Sequence, residues 1–166
     1  GLDFQVCKHF NLNLDKKPDL NRWININKIQ KSSEGQVIIG IVGKYTSMID
    51  SYKSLIEALM HGGLSNKINV SIKWIDSESL EDDTLSLNDI FKDINGIIVP
   101  GGFGKRGSEG KIKSIEFSRV NNIPFLGICF GMQMAVLEFA RNVLNFKDAS
   151  SSEFGKTNFP FIGLLT

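Results

Sequence analysis

The stretch that decides the fold is Pro-Phe-Leu-Gly-Ile-Cys-Phe-Gly at residues 124–131. Its apolar start predicts a buried β-strand over Pro124–Ile128, and residues 131–144 then carry apolar side chains at helical spacing. Between them, residues 127–131 form a cysteine version of the Gly-x-Ser-x-Gly nucleophile elbow. This tight turn strains its central residue and brings backbones close together, which explains the flanking glycines. We therefore predict that Cys129 is a nucleophile at the carboxyl edge of a parallel sheet.

The rest of the chain alternates predicted strands and helices. A β-branched apolar run at Val37–Val42 predicts a strand buried on both faces, and Gly96–Val99 predicts another. Alternating side chains at Asn69–Ile75 predict a more exposed strand, nearer an edge. Further predictions are helices at Leu20–Ile29, Asp50–Met60 (capped by Asp50 and stopped by His61-Gly62-Gly63) and Lys111–Val120, a solvated acidic connection at Asp76–Asp83, and a strand at Phe161–Leu165. This order predicts an α/β fold with three α/β/α layers around a mainly parallel sheet.

Cys129 can also be interpreted without any chemistry, because free cysteines are among the most buried residues. The glycines on both sides and the strand-to-helix position favour the nucleophile interpretation, since the following helix directs its free N–H groups at the sulfur and favours a thiolate. Cys7 has no such surroundings, and we interpret it as structural.

The glycine-rich segment Pro100–Gly107 follows the neighbouring predicted strand and should leave the sheet at the same edge. Acyl transfer needs backbone N–H groups around the developing oxyanion, commonly one from the residue after the nucleophile and one from an adjacent loop. Phe130 and Gly102 are therefore the candidates for the oxyanion hole. Residues 102–107 also match the Gly-x-Gly-x-x-Gly dinucleotide fingerprint, but the acidic ribose-binding residue expected about 20 residues later is absent between Phe117 and Val136.

Composition restricts the class of protein. The 166 residues suit one compact domain, and a net charge of +1 gives no overall field that attracts nucleic acid or an anionic membrane. No apolar run reaches the ~18 residues of a membrane span. Two cysteines far apart in the sequence do not resemble a disulfide framework or a metal cluster, so we expect no metal site and a reducing, cytoplasmic setting.

Several motifs along almost the whole chain resemble the class I, triad-type glutamine amidotransferase domain of CTP synthases, which has a flavodoxin-like fold. They are Val42–Tyr45, Tyr52–Ser54 with Glu57–Leu59, Pro100–Gly107 with Glu109–Lys111, Phe125–Gln133, Glu138–Arg141 and Ser152–Phe154. The resemblance implies a linker from the synthetase domain at residues 1–35 and an amidotransferase domain at residues 36–166. It also implies that the C-terminal part of the family fold is missing from this sequence.

The resemblance further implies that a Cys-His-Glu triad hydrolyses L-glutamine. Cys129 would be the nucleophile, Gly102 would help to form the oxyanion hole, and the residues that contact glutamine would be Gly102, Phe103, Gln133 and Glu153. Phe103 and Arg106 would lie near the site of GTP, an allosteric activator. The ammonia would pass to the synthetase domain of the same polypeptide, which uses Mg, ATP and UTP to make CTP, and the full-length protein would be a homotetramer.

The chain departs from this family at the general base. It contains only His9 and His61, whereas the family's catalytic His and Glu follow the Glu153 loop and this sequence ends at Thr166. We therefore expect little or no glutaminase turnover from these 166 residues alone. Two alternatives stay open: a PfpI-like cysteine hydrolase, although that family usually has His directly after the nucleophile, and a non-catalytic regulatory or assembly module.

Some candidate residues have simpler interpretations. Arg106 and Glu153 would otherwise pass as solvated loop residues, and Gln133 as a residue on a helix surface. Lys44, Tyr45 and Lys53 match the family pattern, but we give them no role beyond packing or an interface.

Overall fold

The computed structural model describes residues 1–13, 17–44, 46 and 48–163. Its helices are α1 (Leu2–His9), α2 (Asn21–Lys31), α3 (Lys53–Ser65), α4 (Leu87–Ile90), α5 (Ser108–Val120) and α6 (Phe130–Glu138). Its strands are β1 (Gly35–Gly43), β2 (Ile68–Asp76), β3 (Gly96–Val99), β4 (Phe125–Gly127), β5 (Ser150–Ser151) and β6 (Pro160–Ile162). Short 3-10 turns lie at Ile49–Tyr52, Ser79–Glu81 and Ser152–Phe154, and a π-helical turn, Phe139–Val143, extends α6.

The central sheet has four parallel strands in the order β2-β1-β3-β4. The connections from β1 through α3 to β2 and from β3 through α5 to β4 cross the sheet in opposite directions, so right-handed crossovers place α3 and α5 on opposite faces. This confirms the predicted α/β architecture, in which the strand order reverses between β1 and β3. β5 and β6 form a separate parallel pair.

The core lies between the sheet and its helices. Its members include Val42, Ile75, Val99, Met134 and Leu137, and the stacked rings of Phe91 and Phe117 have centroids 4.9 Å apart. β3 is buried throughout, as predicted, whereas β4 is half-exposed because, among the described residues, it pairs with β3 alone. The prediction that a buried strand precedes Cys129 is therefore wrong, because β4 is only partly buried.

The first helix after β1 differs at both ends from the predicted helix Asp50–Met60. The backbone forms a 3-10 turn over Ile49–Tyr52 before α3, and Asp50 makes no side-chain cap. His61-Gly62-Gly63 does not stop the helix, which continues to Ser65. Gly63 instead allows a close approach, because a Cβ at this position would lie 2.6 Å from the carbonyl oxygen of Ile68.

Two connecting segments are more ordered than the sequence predicts. Ser77 and Leu80, in the acidic stretch predicted to be solvated, are fully buried beneath α5. The first 35 residues contain α1 in addition to the expected helix, which runs as α2. The division into a linker and a domain at residue 36 stays a prediction. β6 confirms a strand near Phe161, while Leu164 and Leu165 lie outside the described residues.

None of the helices within the described ranges combines the length and the apolar character that crossing a bilayer requires.

Candidate active site

Cys129 occupies the turn between β4 and α6 in a strained backbone conformation, with φ 53° and ψ −112°. A residue other than glycine rarely adopts such angles, and they persist only where the surrounding structure enforces them. The amide of Ile128 donates to the carbonyl of Val99 (2.9 Å), which fixes the end of β4, and the amide of Gln133 donates to the carbonyl of Cys129 (3.2 Å). The side chain of Cys129 is exposed.

The two glycines that flank the turn are required for steric reasons. A Cβ at Gly127 would lie 2.7 Å from the amide nitrogen of Met132, and a Cβ at Gly131 would collide with the carbonyl oxygen of Val99. α6 therefore starts in direct contact with the backbone of β3 and β4. The predicted steric need for glycine on both sides of Cys129 is confirmed, while the role of Cys129 as a nucleophile stays a prediction.

The glycine-rich loop at residues 100–107 lies beside the elbow, because β3 and β4 are neighbours with Val99 opposite Gly127. A Cβ placed on Gly101 would be 3.7 Å from the Cβ of Cys129. Gly102 has φ 126° and Gly104 has φ 98°, angles that L side chains rarely adopt. The loop therefore reaches its position through conformations that favour glycine.

The two oxyanion-hole candidates belong to neighbouring segments of the structure, and their role stays a prediction. Phe130 is the first residue of α6 and Gly102 belongs to the adjacent loop, and neither backbone N–H donates a hydrogen bond to any part of the chain that the structure describes. Phe130 directly follows the exposed Cys129, and Gly101, which precedes Gly102, lies beside the Cβ of Cys129. The first turn of a helix presents free N–H groups of this kind to an anion.

Three aromatic rings connect the other candidate residues to the elbow. The ring of Phe130 is fully buried and has its centroid 5.4 Å from that of Phe103 and 6.1 Å from that of Phe154. Phe103 is 57% exposed, so one side of its ring remains open to solvent above the site. Through Phe154, the short turn that carries Glu153 packs against the residue following the nucleophile.

Gln133 and Glu153 belong to the two segments that the contact between Phe130 and Phe154 joins. The amide of Glu153 donates to Ser151 Oγ (3.2 Å) and the carboxylate is exposed. Gln133 is half-buried in the first helical turn after Cys129. Arg106 forms an ion pair with Glu78 (3.2 Å) at the outer end of the glycine-rich loop.

Neither histidine of the chain reaches the elbow as a general base. His61 lies near the end of α3, and because that helix runs back from the carboxyl edge, its end is at the amino edge of the sheet, opposite Cys129. His61 is 4.0 Å from Glu57 on the same helix. His9 lies on α1 with its ring against Phe10.

Two lysines at the site were missed as functional candidates. Lys44 directly follows β1 and Lys111 lies in the first turn of α5, and both are buried beneath the glycine-rich loop. Burial, followed by the charge of Lys44, lowers the pKa of Lys111 to about 8, while the negative charge of a Cys129 thiolate opposes this shift. Both lysines belong to motifs that resemble the family, but only the folded chain brings their charges together.

A cleft of about 380 Å³ runs beside Cys129, between the start of α3 and the glycine-rich loop, and Gly101 and Ile128 form part of its wall. Within the described residues, the side chains of His, Cys, Asp and Glu do not gather into any group of three that could hold a metal ion.

The comparisons with known proteins agree with this geometry. The family model described as "Glutamine amidotransferase class-I" matches residues 47–163. The chain is 54% identical to a CTP synthase of Rhodospirillum rubrum and 51% identical to one of Gluconacetobacter diazotrophicus, in each case across 100% of this chain and 30% of the relative. It thus spans about 30% of the length of these curated relatives.

A solved structure gives the same result. The glutaminase domain of Trypanosoma brucei CTPS with bound acivicin superposes with a TM-score of 0.70 and 37% identity, over 77% of this chain and 50% of that chain. The resemblance drawn from the sequence is therefore confirmed. The chain belongs to the class I glutamine amidotransferase family, and within it to the type that forms the glutaminase domain of CTP synthases.

Proposed function

We propose that this chain supplies the nucleophile, Cys129, that attacks the side-chain amide of L-glutamine, and that the full-length protein uses the released ammonia in a CTP synthase reaction. The observation that carries the proposal is the strained, exposed Cys129 between two sterically required glycines, beside a loop with free N–H groups. A cysteine on such an elbow is suited to acyl transfer.

In the proposed reaction, the Cys129 thiolate forms a C–S bond to the amide carbon of glutamine, and the π electrons of the carbonyl move to its oxygen. The N–H groups of Phe130 and Gly102 stabilise this oxyanion. When the carbonyl re-forms, the C–N bond breaks, and the amide nitrogen takes up the proton that the Cys129 thiol gave up and leaves as ammonia. Water then adds to the thioester carbon, the C–S bond breaks, glutamate leaves, and the sulfur takes back a proton from that water.

The substrate contacts follow from chemical complementarity. The exposed Glu153 carboxylate suits the α-ammonium group of glutamine, while Gly102, Phe103 and Gln133 contribute backbone and side-chain groups near the same position. Phe103 and Arg106 together suit GTP, because an aromatic face stacks on a base and a guanidinium binds phosphate.

The protons require a general acid and base, and the described residues bring no histidine to Cys129. We therefore assign the proton transfers of the reaction to groups other than His9 and His61. It also assigns the use of ammonia to a synthetase domain in the same polypeptide, with Mg, ATP and UTP as its reactants. A homotetrameric assembly and a cytoplasmic location belong to the same proposal.

The test is covalent labelling with acivicin, a chlorinated dihydroisoxazole analogue of glutamine. The Cys129 sulfur attacks the carbon that bears chlorine, a C–S bond forms, and chloride leaves. Peptide mass spectrometry should find the adduct on Cys129 and not on Cys7, with saturable kinetics and protection by glutamine. A Cys129→Ser variant should remain unlabelled, and Cys7→Ser should label as the unchanged chain does.

The absence of a glutamine-protected adduct on Cys129 would refute the proposal. That result, with the thiol still reactive toward iodoacetamide, would favour a non-catalytic regulatory or assembly module. An adduct that glutamine does not prevent would instead favour a cysteine hydrolase with another substrate, such as a PfpI-like enzyme.

A further inference from the structure

Two ammonium groups hold the glycine-rich loop from below. Lys111 Nζ donates to the carbonyl of Gly102 (3.3 Å), and Lys44 Nζ donates to the carbonyls of Phe103 and Gly104 (3.0 Å each). Lys111 is 0% exposed and Lys44 is 5% exposed, although lysine is almost never fully buried in proteins. These contacts join β1, the loop and α5 at one point.

No carboxylate neutralises this pair of charges. Within the described chain, neither Lys44 nor Lys111 has an acidic partner within ion-pair distance, and Lys111 Nζ instead lies 5.0 Å from the centroid of the Phe130 ring. Burying an ammonium without a counter-ion is costly, and the lowered pKa of Lys111 reflects this cost. The described groups that offset it are three loop carbonyls and an aromatic face.

The carbonyl contacts determine the direction of the neighbouring N–H groups. In a trans peptide the C=O of one residue and the N–H of the next point in opposite directions. Carbonyls of residues 102–104 that turn toward the lysines therefore turn the N–H groups of residues 103–105 away from them. Within the described part of the chain, these three N–H groups meet no acceptor. Successive free N–H groups of this kind form an anion-binding concavity.

We propose that Lys111 and Lys44 are positioning residues: by holding the carbonyls of residues 102–104, they fix the backbone that follows Gly102 and thereby keep the Gly102 N–H, assigned above to the oxyanion hole, in its place beside Cys129. This inference rests on the proposed glutaminase function. Neither lysine touches the substrate in it. Each acts through the loop, and the buried positive charge of the pair adds to the field that stabilises an anion above it.

The conformations of the loop support this assignment. Gly102 and Gly104 have positive φ angles of 126° and 98°, so the loop can also adopt other backbone conformations at little cost. The Phe103 ring against Phe130 and the bond from Ser108 Oγ to the carbonyl of Lys105 (2.6 Å) also hold the loop. Lys44 and Lys111, which arrive from two different elements, are the described side chains that hold the carbonyls of residues 102–104.

The experiment compares two reagents on Cys129 in the 166-residue chain. Acivicin requires the glutamine site, whereas iodoacetamide requires only an accessible thiol. In Lys111→Met and Lys44→Met, acivicin labelling should slow by about 10- to 100-fold, since a displacement of 1 Å at a reacting centre can cost about 100-fold. Iodoacetamide labelling should change little in either variant.

Lys113→Met is the matched control. Lys113 lies on α5 near Lys111 but is partly exposed, and it bonds to the carbonyl of Glu81 (3.2 Å) and to Asp83. Its removal should leave both rates within about twofold. A second measurement follows the loop directly: the ¹³C resonance of the Gly102 carbonyl should move in Lys111→Met and stay in place in Lys113→Met.

The outcomes separate the two proposals. Equal acivicin rates in the unchanged chain, Lys111→Met and Lys44→Met would overturn the positioning role while leaving the glutaminase proposal intact. If acivicin fails to label the unchanged chain, the proposed glutaminase function is refuted. If the Gly102 carbonyl resonance does not move in Lys111→Met, the positioning role is refuted whatever the labelling result. If Lys111→Met loses its folded NMR spectrum, the labelling rate of Lys44→Met decides.

Discussion

Replacing Gly131 by Ala gives a sharp test of the elbow, because two large effects oppose each other there. Gly131 is the second residue of α6, and alanine is favoured over glycine by up to about 1 kcal/mol in a helix. In this chain, however, the added Cβ would collide with the carbonyl oxygen of Val99 and lie 2.7 Å from its carbonyl carbon. The sign of the change in stability depends on which effect is larger.

The collision should outweigh the helix propensity. Both atoms of Val99 belong to the backbone of the fully buried β3, so they cannot move aside as the end of a flexible side chain would. Overpacking of this kind costs about 1–3 kcal/mol, and the same carbonyl accepts the hydrogen bond from Ile128, worth about 1 kcal/mol. After the gain of about 1 kcal/mol in helix propensity is subtracted, we expect Gly131→Ala to lower the free energy of unfolding by about 1–3 kcal/mol, or the Tm by about 2–12 °C.

Gly62→Ala is the matched control for this experiment. Gly62 also lies inside a helix, α3, but a Cβ there would meet no atom within 4 Å. Only the higher helix propensity of alanine acts at this position, so Gly62→Ala should be more stable than the unchanged chain by about 0.5–1 kcal/mol. Urea unfolding followed by circular dichroism measures both variants under the same conditions.

The result that would refute the argument is a Gly131→Ala variant as stable as the unchanged chain. That outcome would mean that α6 does not start against the backbone of β3. The strained conformation of Cys129 would then lose its structural cause. Rapid acivicin labelling in such a variant would contradict the elbow as the basis of reactivity.

Three further predictions concern charge and catalysis. Between pH 8 and 10.5 the unfolded chain holds a proton on Lys111 that the folded chain has released. Stability should therefore rise with pH there by up to about 1.4 kcal/mol per unit relative to Lys111→Met, and parallel urea-unfolding profiles of the two proteins would contradict this. Arg119→Ala should lower the free energy of unfolding by about 2 kcal/mol, because it removes two hydrogen bonds, from Nη2 (2.7 Å) and Nε (3.1 Å), to the buried carboxylate of Glu138. Thermal unfolding measures this change. An unchanged Tm would show that the 3.2 Å bond from Asn142 is enough to satisfy the carboxylate. The 166-residue chain alone should release almost no ammonia from glutamine in a coupled assay, and turnover near that of an intact CTP synthase would refute this.

The features that the sequence predicted are those with a local cause. The tight turn at Cys129 requires glycines on both sides, and the β-branched run of β1 predicts a central strand, so both could be recognised without tertiary information. The adjacency of the glycine-rich loop and the elbow followed from a general property of parallel sheets, whose carboxyl ends meet at one edge.

The features that the sequence did not predict depend on contacts between distant elements. Lysine is usually solvated, so the burial of Lys111 becomes apparent only once the loop carbonyls stand above it. His61-Gly62-Gly63 looks like a helix end, but Gly63 is needed for contact with Ile68 and the helix continues. Likewise Ser77, in an acidic segment, is buried because Gly110 of α5 lets that helix approach its carbonyl closely.

One residue of the central sheet determines the relative position of the nucleophile and the oxyanion loop. The carbonyl of Val99 accepts the hydrogen bond from Ile128, just before Cys129, and also limits the approach of Gly131, just after Phe130. The chain that follows Val99 becomes the glycine-rich loop. A shift of β3 against β4 would therefore move both halves of the proposed site, and the register of Val99 with Gly127 prevents it. The lysines then have only the loop's orientation left to determine, since its distance from Cys129 is already set by the sheet.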